Sequence, residues 1–235
     1  MTYKKQQGLS LIELMIAVTI GLLLLMGTAS MMISNKRIYK EQNEMGRLQE
    51  NARFAMELIM KDVRRSAFIG CMDRQNGIRN HLNGSGTSTN LFSLNNLIEG
   101  SESGGNWLPS NSTDATTDMT AGSDGFTVRF LEPINVTVSA SMPNKSANLQ
   151  VTSVTDVVEG DILAVSDCDS TDIFQVTGIG SNTVNHNTGG SATPGNSTKD
   201  FSKSYPADAM VARAISRRYF IANDAATGES GLFMY

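Results

Sequence analysis

Residues 4–15 read Lys4-Lys5-Gln6-Gln7-Gly8-Leu9-Ser10-Leu11-Ile12-Glu13-Leu14-Met15, and the apolar run that opens at Leu9 continues to Ile33 with Glu13 as its single charge. Helical at about 1.5 Å per residue, these ~25 residues would reach roughly 37 Å, enough to cross a ~30 Å hydrocarbon core with some tilt. Lys4 and Lys5 precede the run, and Lys36, Arg37 and Lys40 follow it. Basic residues on both sides leave orientation unfixed by the positive-inside rule alone. A secretory signal peptide has a shorter apolar core and a small-residue cleavage site. Gly27-Thr28-Ala29 would supply the site, but the stretch is too long. A plain single-span anchor fits the length and gives no reason for Glu13. A charge within a span costs a few kcal/mol and usually has a partner, although one near the end of the span can snorkel out at little cost.

The helical pattern outlasts the membrane-length run. Ile38, Met45, Leu48, Ala52, Ala55, Ile59, Val63 and Ala67 recur at three, four or seven residues and form one apolar stripe. Lys36, Lys40, Arg47, Glu50, Glu57, Lys61 and Arg64 lie mostly off it, and no proline interrupts residues 9 to 70. The spacing predicts one helix from about Leu9 to Phe68, roughly 90 Å long. Residues 9–33 would be its membrane-embedded or filament-core part, and 34–68 would lie on a globular head, with the stripe as packing surface. Gly21 and Gly27 mark places where such a helix could bend, at about 1 kcal/mol each relative to Ala.

Leader and helix start together closely resemble the class III signal of type IV prepilins. That family has a short basic leader, a glycine before the cut and a glutamate as the fifth mature residue; Gly8 and Glu13 match both positions. The resemblance implies a leader of residues 1–8, cleavage between Gly8 and Leu9 by prepilin peptidase, and N-methylation of Leu9. Mature pilins usually begin with Phe; here the residue is Leu9. Glu13 then gains a physical role. A carboxylate near the start of one apolar helix can pair with the new α-amino group of a neighbouring helix, setting axial register as subunits enter a filament.

The 235-residue chain is long enough for one sizeable head domain over 69–235. Charged residues make up 18%, with a formal net charge of −4, so no basic excess exists to hold a phosphate backbone and no direct nucleic-acid binding is expected. Gly84–Thr89, Gly100–Gly105 and Asn111–Thr113 make residues 73–125 read as a long surface excursion. Strand alternation follows. Residues 126–131 and 134–138 read as a hairpin around Glu132-Pro133, and 161–165 with 173–177 as a second pair around Cys168. Further strands run at 212–221 and 231–235. A long helix followed by an antiparallel sheet is an α+β, pilin-like arrangement. The chain stops on what reads as a strand, which leaves its completeness open.

Chemistry is sparse. His81 and His186 are the only histidines; both fall in polar loops and read as surface residues. No GxSxG, HExxH or phosphate-binding loop occurs. Asp167, Asp169 and Asp172 could offer oxygen ligands to calcium, but the spacing lacks the glycine and terminal glutamate of an EF-hand. Asn111, Asn135 and Asn196 start glycosylation sequons of the kind an Asn/Ser/Thr-rich chain makes by chance. No enzyme, metal or cofactor is expected. Two cysteines, Cys71 and Cys168, allow one long-range disulfide or two buried thiols. An oxidising compartment favours the bridge, and closing so long a loop is worth roughly 4–5 kcal/mol in the chain-entropy model.

Within the prepilins, the head resembles the PilW family of minor pilins. The carriers are Arg64–Cys71, Val165–Cys168 with Asp172–Thr177, and Arg218–Ala222. The resemblance implies a minor pilin that helps initiate type IV pilus assembly near the tip. It would be anchored in the inner membrane with a periplasmic head and then incorporated into an extracellular pilus serving motility, DNA uptake or attachment. Implied partners are other minor pilins, the major pilin, a tip adhesin, the inner-membrane assembly platform and prepilin peptidase. PilW is also similar to a minor pseudopilin of type II secretion, which stays open as a reading. So does a membrane-tethered periplasmic binding domain, which would escape prepilin peptidase. Mass spectrometry of membrane-extracted protein should find a chain starting at N-methyl-Leu9, with Gly8→Glu leaving the leader attached. A mature start near Ser30 would instead mean an ordinary secreted protein.

Overall fold

The computed structural model describes residues 8, 10–66, 68–72, 77–84, 91–101, 120, 123–189, 193–224 and 226–234. The expected helix is α1, Leu11–Arg65, 55 residues without interruption at Gly21 or Gly27. Its ends fall a few residues inside the expected limits for local reasons. At the start, Ser10 takes the N-cap position. At the finish, the Ser66 amide turns back to Asp62 O (3.0 Å), the Ser66 hydroxyl donates to Val63 O (2.6 Å), and Gly70 adopts φ 98°. The chain divides into two compact units, Met1–Glu57 and Leu58–Tyr235. Over its described helical residues the first is a single helix, which by itself has nothing to bury its apolar side chains against.

The second unit holds the last two turns of α1 and ten strands. These are β1 (Ile78–Asn80), β2 (Ile98–Ser101), β3 (Gly125–Thr137), β4 (Leu149–Gln150), β5 (Ile162–Ser166), β6 (Thr171–Gln175), β7 (Gly178–Ile179), β8 (Thr183–Asn185), β9 (Met210–Asn223) and β10 (Ser230–Met234). The main sheet runs β1-β6-β5-β9-β3-β2, with β10 also paired to β9; the β4, β8 and β7 strands form a small second sheet. Helix followed by sheet is the expected α+β, pilin-like architecture. All main-sheet pairings are antiparallel except β1 with β6, which is parallel.

The expected strands at 161–165 and 173–177 are the β5–β6 pair, and the C-terminal stretch is β10 on β9. The expected hairpin around Glu132-Pro133 does not exist. Residues 125–137 are one strand, and both halves pair with the 14-residue β9 across a register shift between Pro133 and Val136. Proline removes a ladder donor, and two extra residues, Ile134 and Asn135, the latter at φ 52°, stand between consecutive β9 positions, so the site bulges instead of turning. The small sheet was not legible, because strands of two or three residues carry no period.

Both faces of the main sheet are covered, so β5 and β6 are buried at every position. Leu163, Val165, Phe174 and Val211 face one core with the residues around the small sheet. Ile162, Ala164, Ile173, Ala212 and Ala214 face the other. This second core overturns the reading of 73–125 as surface throughout. Leu82 (0%) and Leu94 (1%) are among its most buried side chains, and Gly100-Ser101 belong to β2. Arg129, itself buried, pins the excursion with bonds to Leu91 O (2.6 Å), Asn96 O (2.7 Å) and Glu99 (2.9 Å). Ser85–Thr89, the end of the Gly100–Gly105 stretch and Asn111–Thr113 lie outside the described residues. Leu94→Ala should therefore destabilise the head by about 2–5 kcal/mol in chemical unfolding; a loss under about 0.5 kcal/mol would fit a surface site instead.

Candidate functional site

The helix begins where the sequence motif is densest. With Ser10 at the N-cap, Glu13 occupies the third helical position, and the Ser10 amide donates to Glu13 Oε2 at 3.2 Å. That is the returning half of a capping box, in which a carboxylate satisfies a donor the helix leaves orphaned. The positive end of the helix dipole favours a negative charge at the same place. Oε1 takes no hydrogen bond among the described residues. Gly8 is exposed, and Leu9 lies outside the described residues. By length and composition α1 is able to cross a membrane.

In the head, Cys71 and Cys168 are joined by a disulfide across 97 positions of sequence, with Cα atoms 4.7 Å apart. The link ties the segment leaving α1 to the β5–β6 turn. Asp167, Asp169 and Asp172 do not converge on a cation. Lys203 Nζ stands 2.6 Å from Asp167 and 3.6 Å from Asp169. Burial pushes the Asp167 carboxyl up, yet the hydrogen bonds and charge of Lys203 with the Ser170 and Asp169 amides bring it below its ordinary value. Asp172 points into the interior, fully buried. Its acceptors take the Tyr205 hydroxyl (2.9 Å), the Ser202 amide (2.8 Å) and hydroxyl (2.7 Å), and His81 Nε2 (2.8 Å). Burial and this neighbouring carboxylate push the Tyr205 hydroxyl far up its scale, so it stays a donor. Among the described residues no metal-holding cluster forms.

Two expectations change accordingly. His81 is bound to a buried carboxylate, and His186 is 1% exposed, so neither is a surface histidine. Of the sequon asparagines, Asn196 is buried, and its side-chain amide pairs with the Gln175 backbone (2.7 and 2.8 Å). Asn135 is exposed on the bulge, and Asn111 lies outside the described residues. Sequence reading missed Asp62. On the last turn of α1 it has no exposed surface, with both oxygens 2.8 Å from Arg217 Nη1 and Oδ2 2.5 Å from the Tyr219 hydroxyl. The hydrogen bonds that Arg217 donates to Asp62 hold its guanidinium above its ordinary value; burial and then the bond donated to Asp62 raise the hydroxyl of Tyr219. A signal was present: Asp62 lies three and four residues beyond Ile59 and Leu58, so it shares a helix face with two apolar side chains.

Residues 3–29 match the family model described as the prokaryotic N-terminal methylation motif. No curated protein and no solved structure matches the chain. The motif supports a pilin or pseudopilin type of protein, membrane-anchored by its apolar N-terminal helix and processed by prepilin peptidase.

Burial of His186 makes the head sensitive to mild acid. Its ring stacks on Phe201 at 4.0 Å between centroids, and Nε2 donates to Ala147 O at 2.9 Å, so the nitrogen that carries the proton is fixed. Burial, aided by the charge of Lys199, holds the imidazole below its ordinary pKa of 6.5, whereas backbone bonds push the other way without winning. The unfolded chain therefore binds more protons than the folded one once the pH drops below about 6.5, and stability falls with pH there. The head's melting temperature should be lower at pH 5.5 than at pH 7.5. His186→Phe should shrink that difference, and an unchanged difference would remove His186 as its source.

Proposed function

We propose that this chain is a minor pilin, a structural subunit that helps initiate a type IV pilus near its tip. Residues 1–8 are the prepilin leader, cut between Gly8 and Leu9, with Leu9 then N-methylated. Residues 9–33 anchor the subunit in the inner membrane and later line the filament core, 34–68 lie along the head, and 69–235 form that head. The observation that carries the reading is the motif itself: Gly8, an apolar run and Glu13 at the fifth mature position, over residues 3–29 that match the methylation motif. The placement of Glu13 supports the register role. Among the described residues its partner is one backbone amide at 3.2 Å, a contact that a neighbour's charged amine readily displaces, since charge-assisted bonds are the stronger kind.

The choice of minor pilin rests on the segments similar to PilW. They are also the segments that carry the head's cross-links: Arg64–Cys71 leads from the helix into the disulfide, β5 and β6 flank its other end, and Arg218–Ala222 lies in β9. Other minor pilins, the major pilin, an adhesin and the assembly platform are the partners this role entails. Its head faces the periplasm and then the exterior. Glu13→Ala should leave membrane insertion and cleavage intact while lowering the subunit's incorporation into sheared pili. Incorporation equal to wild type would remove the register role.

A further inference from the structure

We infer that Asp62 decides which face of the helix end lies on the head, and thereby which face is left for neighbouring subunits; the second half rests on the filament reading above. Between Leu58 and Arg65 the helix has two apolar edges. Leu58 and Ile59 pack toward Val128, Phe130 and Tyr219. Met60 and Val63 point elsewhere and stay 47% and 36% exposed. Hydrophobic burial has no direction, so area alone does not choose between a Leu-Ile edge and a Met-Val edge. The head does choose, because it offers two donors there, the Arg217 guanidinium and the hydroxyl of Tyr219, whose side chain is buried at 1%.

Only one edge supplies an acceptor for them. Rotating the helix to bury Met60 and Val63 would carry Asp62 off the contact and leave the Tyr219 hydroxyl facing apolar groups, an unmade bond in the interior. Sliding by one turn would bring Leu58 or Ser66 opposite Arg217, and neither carries charge. Arg65 and Arg217 also both stand over the Phe130 ring, 5.8 and 5.7 Å from its centroid, and Arg65 reaches Glu132 at 3.3 Å, so the cationic groups around the contact are held in place. An acid is a poor choice for stability at this position. It lies at the negative end of the helix dipole and is fully desolvated, and apolar replacements of buried ion pairs are often neutral or stabilising. What the acid supplies is a single register.

The test uses the full-length chain in detergent, with the native disulfide intact and a single reporter thiol from Ile59→Cys or Met60→Cys. With Asp62 present, the reporter at 60 should alkylate severalfold faster than the one at 59. In the apolar triple variant Asp62→Leu/Arg217→Met/Tyr219→Phe the ratio should collapse toward one while the melting temperature holds or rises, an outcome that a purely stabilising role does not produce. A wild-type ratio in that folded variant overturns the inference. Should the triple variant not fold, Asp62→Ala, which removes the acceptor, is measured the same way, and a ratio equal to wild type again overturns it. The readout is taken on unassembled protein, so failure of the filament reading would leave this result standing.

Discussion

Strand β9 has more pairing partners than any other described strand of the main sheet. Along its 14 residues it pairs with β3 on one side, and with β5 and β10 in succession on the other. Its side chains alternate between the two cores: Val211 joins one, Ala212 and Ala214 the other. Arg217 and Tyr219, two residues apart and therefore on one face, meet the helix end. A one-residue slip of β9 would exchange all of these at once, placing its neighbours Ser216, Arg218 or Phe220 where Arg217 and Tyr219 meet the helix and turning the Asp62 donors to the opposite face. The length of β3 follows from the same pairing, since a long partner lets the chain cross Pro133 without turning.

Legibility in the sequence followed period and length. The helix could be read because fifty-odd residues of apolar recurrence overwhelm local noise, and β5, β6, β9 and β10 could be read because each is a run of five or more residues rich in β-branched, aromatic or other apolar side chains. Residues 73–125 misled because Gly, Ser and Asn dominate their composition, while the residues that fold them inward are few and scattered. Leu82 and Leu94 carry no pattern, and Arg129, which ties Leu91, Asn96 and Glu99 together, sits 30 or more residues away in sequence. Composition reports what most of a segment does, and a core needs only the minority. The histidines failed for a related reason: the carboxylate that draws in His81 belongs to β6, ninety-one positions on.

At the N-terminus, the motif was readable residue by residue because recognition by a peptidase is local in sequence. Capping adds a physical reason for the same spacing. Serine at the cap and glutamate three residues later satisfy the helix start whether or not a leader precedes them, since the donor is the Ser10 amide and not the leader's. Cleavage between Gly8 and Leu9 would therefore leave the helix start in place.

The two acids on α1 use opposite physics. Glu13 stands at the positive end of the dipole, which favours its charge, and among the described residues it holds one modest hydrogen bond that is open to exchange. Asp62 stands at the negative end with no solvent, and two charged contacts and a hydroxyl hold it. Removing a partner from the first costs little; removing one from the second strands a buried charge. The proposed filament role would use that asymmetry: a contact to be remade between chains has to be weak within its own chain, whereas the Asp62 contact within the head has to outlast the transfer.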